Sequence, residues 1–227
     1  MFKTRKNVLP RVGIVAAVLM AGVFAAVPAQ AAEPAGYQEV RSFWDQYGVD
    51  SDTQSKLLDK LEAGQAWDNV AGTAVSSRVT SSRTADTTIK TFKDGSITVT
   101  TQEKAAPSKG GATIQADKQG CTYSSGSGYS RASGCSITNN WGNVQGGFKV
   151  SYTLVNGGRD YISSAGSPTT RCVVGDCNSY NVTRKANEDA TGKANAHFTW
   201  HYSNPLGSWD YRISIYVGGD TVTLGNS

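Results

Sequence analysis

The sequence predicts a mainly β fold, in which a disulfide-stapled antiparallel β-sandwich or small barrel follows a small α-helical pair and a β-hairpin. Apolar residues recur at three- and four-residue steps in residues 37–71, as they do on one face of a helix. From residue 73 onward they alternate with polar residues, which is typical of strands that bury one face. Turn residues separate these alternating segments, and all four cysteines lie within residues 121–177.

Residues 37–71 are predicted to form two antiparallel helices joined by a short turn. Gly48 is expected to end the first helix, and Ser51 with Gln54 three positions later matches the capping box that begins a second. Gly64 fits the position just after that second helix, where a left-handed backbone is common. The apolar faces comprise Tyr37, Val40, Phe43, Trp44 and Tyr47 in the first helix and Leu57, Leu58 and Leu61 in the second.

A β-hairpin is predicted over residues 84–101, because two alternating segments flank Asp94-Gly95, a pair that favours a type I′ turn. The helices and this hairpin together form a first region, residues 32–104. Residues 105–120 contain Pro, Gly and Lys and few apolar side chains, so they are predicted to be a linker.

The remaining residues, 121–227, are predicted to form an all-β domain. Three segments alternate between apolar and polar residues, namely 148–154, 194–203 and 209–217. Each therefore has one face for a core and one for solvent, as in antiparallel sheets that pack on one side. Turn sequences rich in Gly, Asn and Pro separate the segments, which favours a sandwich or a small barrel.

Residues 1–31 have the organisation of a secretory signal peptide. Basic residues begin the chain, an apolar run spans residues 12–27, and Ala29-Gln30-Ala31 supplies the small residues that a signal peptidase recognises. The protein is therefore predicted to be secreted and extracellular. No transmembrane anchor is expected after cleavage, because no later apolar run reaches the roughly 20 residues that span a bilayer.

The net charge of +4 comes entirely from the predicted signal peptide. The whole chain has 22 Lys and Arg against 18 Asp and Glu, and the excess of positive charge lies before residue 32. The rest of the chain is neutral, so the composition gives no support for nucleic acid or an anionic membrane surface as the partner.

Cys121, Cys135, Cys172 and Cys177 are predicted to form two disulfides, because an even number of cysteines in an exported chain usually pairs. Three pairings are open. The local one, Cys121–Cys135 with Cys172–Cys177, is preferred because the short loop between the last two cysteines contains a Gly-Asp turn. A zinc site is disfavoured, since such sites need two closely spaced pairs and the first two cysteines are far apart in sequence.

A recurring pattern is present in the first region: Tyr47-Gly48-Val49, Gln54, Leu57-Leu58, Lys60-Leu61, Gly64, Trp67-Asp68, Phe92 and Asp94-Gly95-Ser96. On these residues the chain resembles a group of secreted proteins of unknown function from high-GC Gram-positive bacteria, and the resemblance extends more loosely to the region of Cys121 and Cys135. It implies export and supports the predicted fold. The shared positions are caps, a helix face and a hairpin turn, so the resemblance implies no site residue.

The sequence contains no motif for catalysis or metal binding, so no catalytic residue, metal ligand or cofactor is predicted. His197 and His201 are four residues apart, but on a predicted strand they lie too far apart to bind one ion by themselves. Residues 187–192 begin like a calcium loop but lack its final glutamate, although a looser calcium turn stays open. No GxSxG motif marks a nucleophile, yet a triad or carboxylate pair assembled from distant residues also stays open.

Trp141 gives the main indication of binding, because it lies in a polar segment between Asn140 and Asn143. An indole in a polar loop can stack on a sugar ring or fill a pocket of a partner. These three residues are therefore the predicted ligand-binding residues. The alternative is that Trp141 folds back into the end of the sandwich, where most Trp surface is buried.

The sequence thus predicts a secreted binding protein whose partner is a glycan or another protein. Two alternatives stay open. One is an extracellular hydrolase with a dispersed site. The other is an antibacterial or inhibitor protein in which residues 32–119 are a removable pro-segment, which a separate helical region followed by a linker would suit.

Overall fold

Two β-sheets packed face to face, with three short helices beside them, form residues 33, 36–104, 106–107 and 120–226, the part of the chain that the computed structural model describes. The predicted signal peptide and most of the predicted linker lie outside these residues. The fold is mainly β, as predicted, and its sheets have open edges and do not close into a barrel.

The helices are α1 (Tyr37–Tyr47), α2 (Ser51–Glu62) and α3 (Asp68–Ala71). Gly48 follows α1 with a left-handed backbone, as predicted, and α2 begins at Ser51. The cap of α2 differs from the prediction. Asp50 is the N-cap, because its carboxylate accepts the Thr53 backbone N–H at 2.9 Å. Gln54 is instead buried, and its amide donates to the end of α1 and to the turn that follows it.

Sheet A contains β1 (Ser76–Ser81), β2 (Ala85–Thr91), β3 (Ile97–Glu103), β4 (Ala106–Pro107), β5 (Thr122–Gly126), β6 (Tyr129–Asn140), β7 (Val144–Val155) and β8 (Tyr161–Cys172). Sheet B contains β9 (Asp176–Lys185), β10 (Ala194–Asn204), β11 (Gly207–Val217) and β12 (Val222–Asn226). The long strand β6 organises sheet A, because it pairs with β7 along one edge and with both β3 and β5 along the other. Sheet B has the order β12-β11-β10-β9.

The predicted hairpin is formed by β2 and β3, and it is continuous with the all-β region because β3 pairs with the C-terminal half of β6. Its turn consists of residues 93–95, and the Phe92 carbonyl oxygen accepts the Gly95 N–H at 3.0 Å. Gly95 has a φ of 85°, whereas Asp94 has no positive φ. The predicted type I′ turn is therefore wrong, since that turn needs a positive φ at both central residues.

Two apolar clusters stabilise the fold. The first fills the space between the sheets, and the predicted alternation of β10 and β11 places its inward side chains there: Ala194, Ala196, Phe198, Trp200, Tyr202, Tyr211, Ile213, Ile215 and Val217. The second joins the helices to the hairpin: Tyr37, Val40, Trp44, Leu57, Leu58, Leu61, Trp67, Ile89, Ile97 and Val99. The helices thus bury the apolar faces that their periodicity predicts.

An ion pair fixes α2 to the hairpin turn. Lys60 Nζ lies 2.7 Å from Asp94 Oδ2, which also accepts the Asp68 backbone N–H, while Ser96 donates to the other carboxylate oxygen. Burial by itself would raise the pKa of Asp94. The hydrogen bonds from Lys60, Ser96 and the backbone outweigh that effect and hold the pKa below its ordinary value.

Both predicted disulfides are formed. Cys121–Cys135 ties the start of β5 to β6, and Cys172–Cys177 closes the turn between β8 and β9. By the chain-entropy estimate, disulfides that close loops this short stabilise a fold by roughly 2–3 kcal/mol each. None of the helices in the described residues is long and apolar enough to cross a membrane.

Candidate functional site

A groove crosses the outer face of sheet A beside the β5–β6 and β7–β8 turns, and we call it the tyrosine groove. Its volume is about 400 Å³, and it is open to solvent. Its principal lining side chains are Ser124, Tyr129, Arg131, Thr153, Val155 and Tyr161. Strand register explains the set, because Ser124, Arg131, Thr153 and Tyr161 lie side by side across β5, β6, β7 and β8.

Two exposed tyrosine rings flank the tyrosine groove. Tyr129 is 45% exposed and Tyr161 is 37% exposed. Tyr129 lies opposite Gly126 in the β5–β6 pair, and a Cβ built on Gly126 would be only 2.5 Å from its Cε1 atom. The backbone of Gly126 therefore supports the Tyr129 ring, and the exposed part of the ring remains available for stacking.

Two polar side chains, those of Arg131 and Thr153, also line the groove. Arg131 is exposed, and within residues 33, 36–104 and 120–225 its side chain makes no hydrogen bond or ion pair. Thr153, next to it across the β6–β7 pair, is 3% exposed, and its Oγ1 is buried without a hydrogen-bond partner among the described residues. A buried hydroxyl left without a partner destabilises the folded state.

Asp160 fixes the β7–β8 turn beside the tyrosine groove. Its side chain is fully buried, with one carboxylate oxygen accepting the Val155 N–H at 2.7 Å and the other the Asp220 N–H at 2.8 Å. Glu188 in turn accepts the Asp160 N–H at 3.2 Å. These carboxylates bond backbone groups, so they hold Val155 and Tyr161 in place and do not form a catalytic pair.

The predicted binding residues lie in and beside the core. Trp141 is fully buried, and its ring contacts those of Trp200 and Tyr211 at centroid distances of 5.5 and 4.9 Å. Asn143 is 2% exposed, and Asn140 is half-buried with its side chain accepting the N–H two residues further on. This corrects the expectation of a surface Trp141. The structure agrees with the alternative, in which the ring folds back into the sandwich. A ring without exposed surface cannot stack on a ligand.

His197 and His201 lie on the outer face of β10, as the strand prediction requires. His197 Nδ1 is 2.8 Å from Ser214 Oγ, and His201 Nδ1 is 2.7 Å from Asp210 Oδ1. Burial, and to a smaller extent the charge of Arg212, lowers the pKa of His197. The two pairs do not make a triad, because Ser214 is only 4% exposed and no carboxylate in the described part of the chain bonds to His197.

Residues 187–192 do not leave an open loop for a cation. The Lys185 ammonium lies 2.8 Å from Asp189 Oδ1 and 3.1 Å from the Gly192 carbonyl oxygen, where a cation would bind. Across the described ranges, no group of three or more His, Cys, Asp and Glu side chains is arranged to hold a metal ion.

Sequence reasoning missed the tyrosine groove. Tyr129, Arg131 and Tyr161 lie on strands rich in Ser and Gly, where apolar alternation is weak and the strand faces cannot be assigned. The Gly126-Ser127-Gly128 segment indicates a turn and would have located the β5–β6 hairpin. The neighbours of that hairpin depend on the register of β7 and β8, which local sequence does not determine.

Comparison with known proteins gives no relative from which to argue. No protein-family model, no curated protein and no solved structure matches this chain. The resemblance to secreted proteins of high-GC Gram-positive bacteria therefore stays a prediction, and function has to be inferred from the residues themselves.

Proposed function

We propose that the protein is an exported, disulfide-stabilised binding protein that recognises a saccharide in the tyrosine groove. One observation carries the proposal: two exposed rings, Tyr129 and Tyr161, flank one open groove that also contains Arg131. Export is supported by the predicted signal peptide and by the two disulfides, which form and persist in oxidising compartments.

The chemistry of the tyrosine groove suits a sugar. Sugar rings present apolar C–H faces that stack on aromatic rings, and they present hydroxyl groups that need hydrogen-bond partners. Tyr129 and Tyr161 supply the rings, whereas Ser124 and Arg131 supply exposed polar groups. The groove is open to solvent, so an oligosaccharide can extend beyond it.

A protein partner is the competing occupant, since Tyr and Arg are also enriched in protein interfaces. The size of the groove favours the sugar. Its volume of about 400 Å³ falls within the range of small-ligand sites, roughly 300–1,000 Å³. A stable protein interface instead buries roughly 800 Å² on each partner, and the sequence from Thr122 to Gly128 beside the groove is mostly Ser and Gly.

The test is binding of the full chain to a panel of immobilised neutral and acidic oligosaccharides, followed by calorimetry on those that bind. Tyr129→Ala and Tyr161→Ala are each expected to weaken binding by about tenfold, because each removes a stacking surface. Gly126→Ala is expected to weaken binding while keeping both tyrosines, since its new methyl group displaces the ring of Tyr129.

Tyr180→Ala is the matched control, because Tyr180 is 59% exposed on β9 and does not line the tyrosine groove. It should bind like the wild type. Unchanged binding by Tyr129→Ala, Tyr161→Ala and Gly126→Ala would place the ligand elsewhere. Failure of the folded chain to bind any oligosaccharide on the panel would refute the proposed function.

A further inference from the structure

The tyrosine groove contains a positive charge, that of Arg131. Arg131 is exposed and lies between Ser124 and Thr153 in the strand register, and no acidic residue of the described part of the chain lines the groove. Within the described residues the Arg131 side chain forms no ion pair, unlike that of Arg171, which pairs with Glu39. The charge of Arg131 is therefore available to a ligand.

The Thr153 hydroxyl is a second, independent indication. It is buried beside Arg131 in the groove and has no hydrogen-bond partner within the described residues. Buried polar groups in folded proteins are nearly always satisfied by protein, water or ligand. A hydroxyl can both donate and accept a hydrogen bond, so a ligand oxygen that reaches Thr153 beside Arg131 would satisfy it.

We propose that the ligand of the tyrosine groove is an acidic saccharide, whose uronic-acid carboxylate binds Arg131 while its sugar ring stacks on Tyr129 or Tyr161. A guanidinium group presents its N–H donors in a planar fork that matches a carboxylate in a bidentate pair. This inference rests on the proposed saccharide function and adds the acidic class of the ligand.

The test compares two forms of one ligand. Oligogalacturonate, and the same oligosaccharide after its carboxylates have been reduced to alcohols, are titrated into the full chain by calorimetry, and an oligoglucuronate pair is treated in the same way. The acidic form is expected to bind about tenfold more tightly in at least one pair. Its advantage should shrink as NaCl rises, because the ion pair at Arg131 is exposed and screened by salt.

Three variants test whether the tighter binding of the acidic form depends on Arg131. Arg131→Gln is expected to remove the preference for the acidic form, because glutamine keeps hydrogen-bonding groups but lacks the positive charge. Arg131→Lys should retain only part of the preference, because an ammonium keeps the charge but loses the planar fork. Arg78→Gln removes an exposed arginine on β1, outside the groove, and should bind like the wild type.

The outcomes separate this inference from the proposed function. Equal binding of both forms by the wild type overturns the acidic class and leaves saccharide binding intact. If Arg78→Gln and Arg131→Gln lose the preference for the acidic form equally, the preference is a general charge effect. That result also overturns binding of the carboxylate at Arg131. A glycerol-phosphate polymer is titrated in the same way. If it binds more tightly than either uronate, the anion is a phosphate and the uronic-acid proposal is overturned. If no neutral or acidic saccharide binds, both proposals fail.

Discussion

Replacing Trp141 by Ala tests whether this residue stabilises the core or binds a ligand. Trp141 has no exposed surface and packs edge-on against Trp200 and Tyr211. Truncating a buried Trp to Ala costs about 3–5 kcal/mol, the lost burial plus the cavity that remains. That is a large part of the roughly 5–15 kcal/mol that stabilises a typical domain. The Trp141→Ala variant should therefore be severely destabilised but, where folded, should bind ligand like the wild type.

Thermal and urea unfolding of the wild type and Trp141→Ala, followed by far-UV circular dichroism, measure the difference in free energy of unfolding. For a chain of this size each 1 kcal/mol shifts the midpoint by about 2–4 °C, so the melting temperature should fall by roughly 6–20 °C. Tyr129→Ala is the comparison, because Tyr129 is 45% exposed and removal of its ring should cost about 1 kcal/mol or less. If Trp141→Ala loses no more stability than Tyr129→Ala, the placement of Trp141 in the core is wrong.

Three further predictions concern the framework around the site. Asp94→Asn should lower the free energy of unfolding by about 1–3 kcal/mol at pH 7, because Lys60 loses the nearer of its two carboxylate partners and keeps only Asp68 at 3.2 Å. The folded-state pKa of Asp94 is held below its ordinary value. Urea titrations should therefore show that the wild type exceeds Asp94→Asn in free energy of unfolding by a constant amount above about pH 4, and that this difference shrinks on further acidification. A difference that grows in acid contradicts this. Replacing Cys121 and Cys135 together by Ser should cost roughly 3 kcal/mol in the same assay, and an unchanged midpoint would show that the bond does not constrain the unfolded chain. Cutting an engineered protease site within residues 105–119 should leave two fragments that co-elute in gel filtration, because β3 stays paired with β6; fragments that separate without denaturant contradict that pairing.

Sequence predicts the parts of this fold in which local signals agree. Gly48 and Gly64 mark the helix ends, and the alternation of β10 and β11 places their apolar side chains in the core. Three strands that were not predicted, β1, β8 and β9, have little apolar alternation. All six residues of β1 are exposed, and β8 and β9 contain few apolar side chains, so no alternation marks them. Their place in the sheets comes from hydrogen bonding to neighbouring strands, which single-sequence periodicity does not report.

The polarity around Trp141 was misleading for a physical reason. The Asn140 side chain accepts the N–H of Gly142, and Asn69 donates to the carbonyl oxygens of Trp141 and Ile97. These amides thus satisfy the backbone of a buried turn. A polar neighbourhood in sequence indicates exposure only when no backbone group nearby needs a partner.

The tyrosine groove could not be predicted because its residues become neighbours only across strands. Ser124, Arg131, Thr153 and Tyr161 are separated along the chain and meet through three strand pairs, and a shift of one residue in any pair would send a side chain to the other face. The disulfide between Cys121 and Cys135 limits such a shift where β5 meets β6.

The hypothesis of a removable pro-segment has structural consequences that disfavour it. Loss of residues 32–119 would take β1, β2, β3 and β4 from sheet A and leave the C-terminal half of β6 without its partner on that edge. It would also uncover the turn at Gly142, which lies against the rings of Trp44 and Trp67. These contacts are buried and apolar, as within a single domain, rather than the small polar contacts of a detachable segment. Intact mass of the protein recovered from culture supernatant decides the question. A chain that begins near Ala32 makes the two regions one functional unit. A chain that begins near Gly120 means that the remaining strands fold without these contacts, and it restores the antibacterial or inhibitor hypothesis.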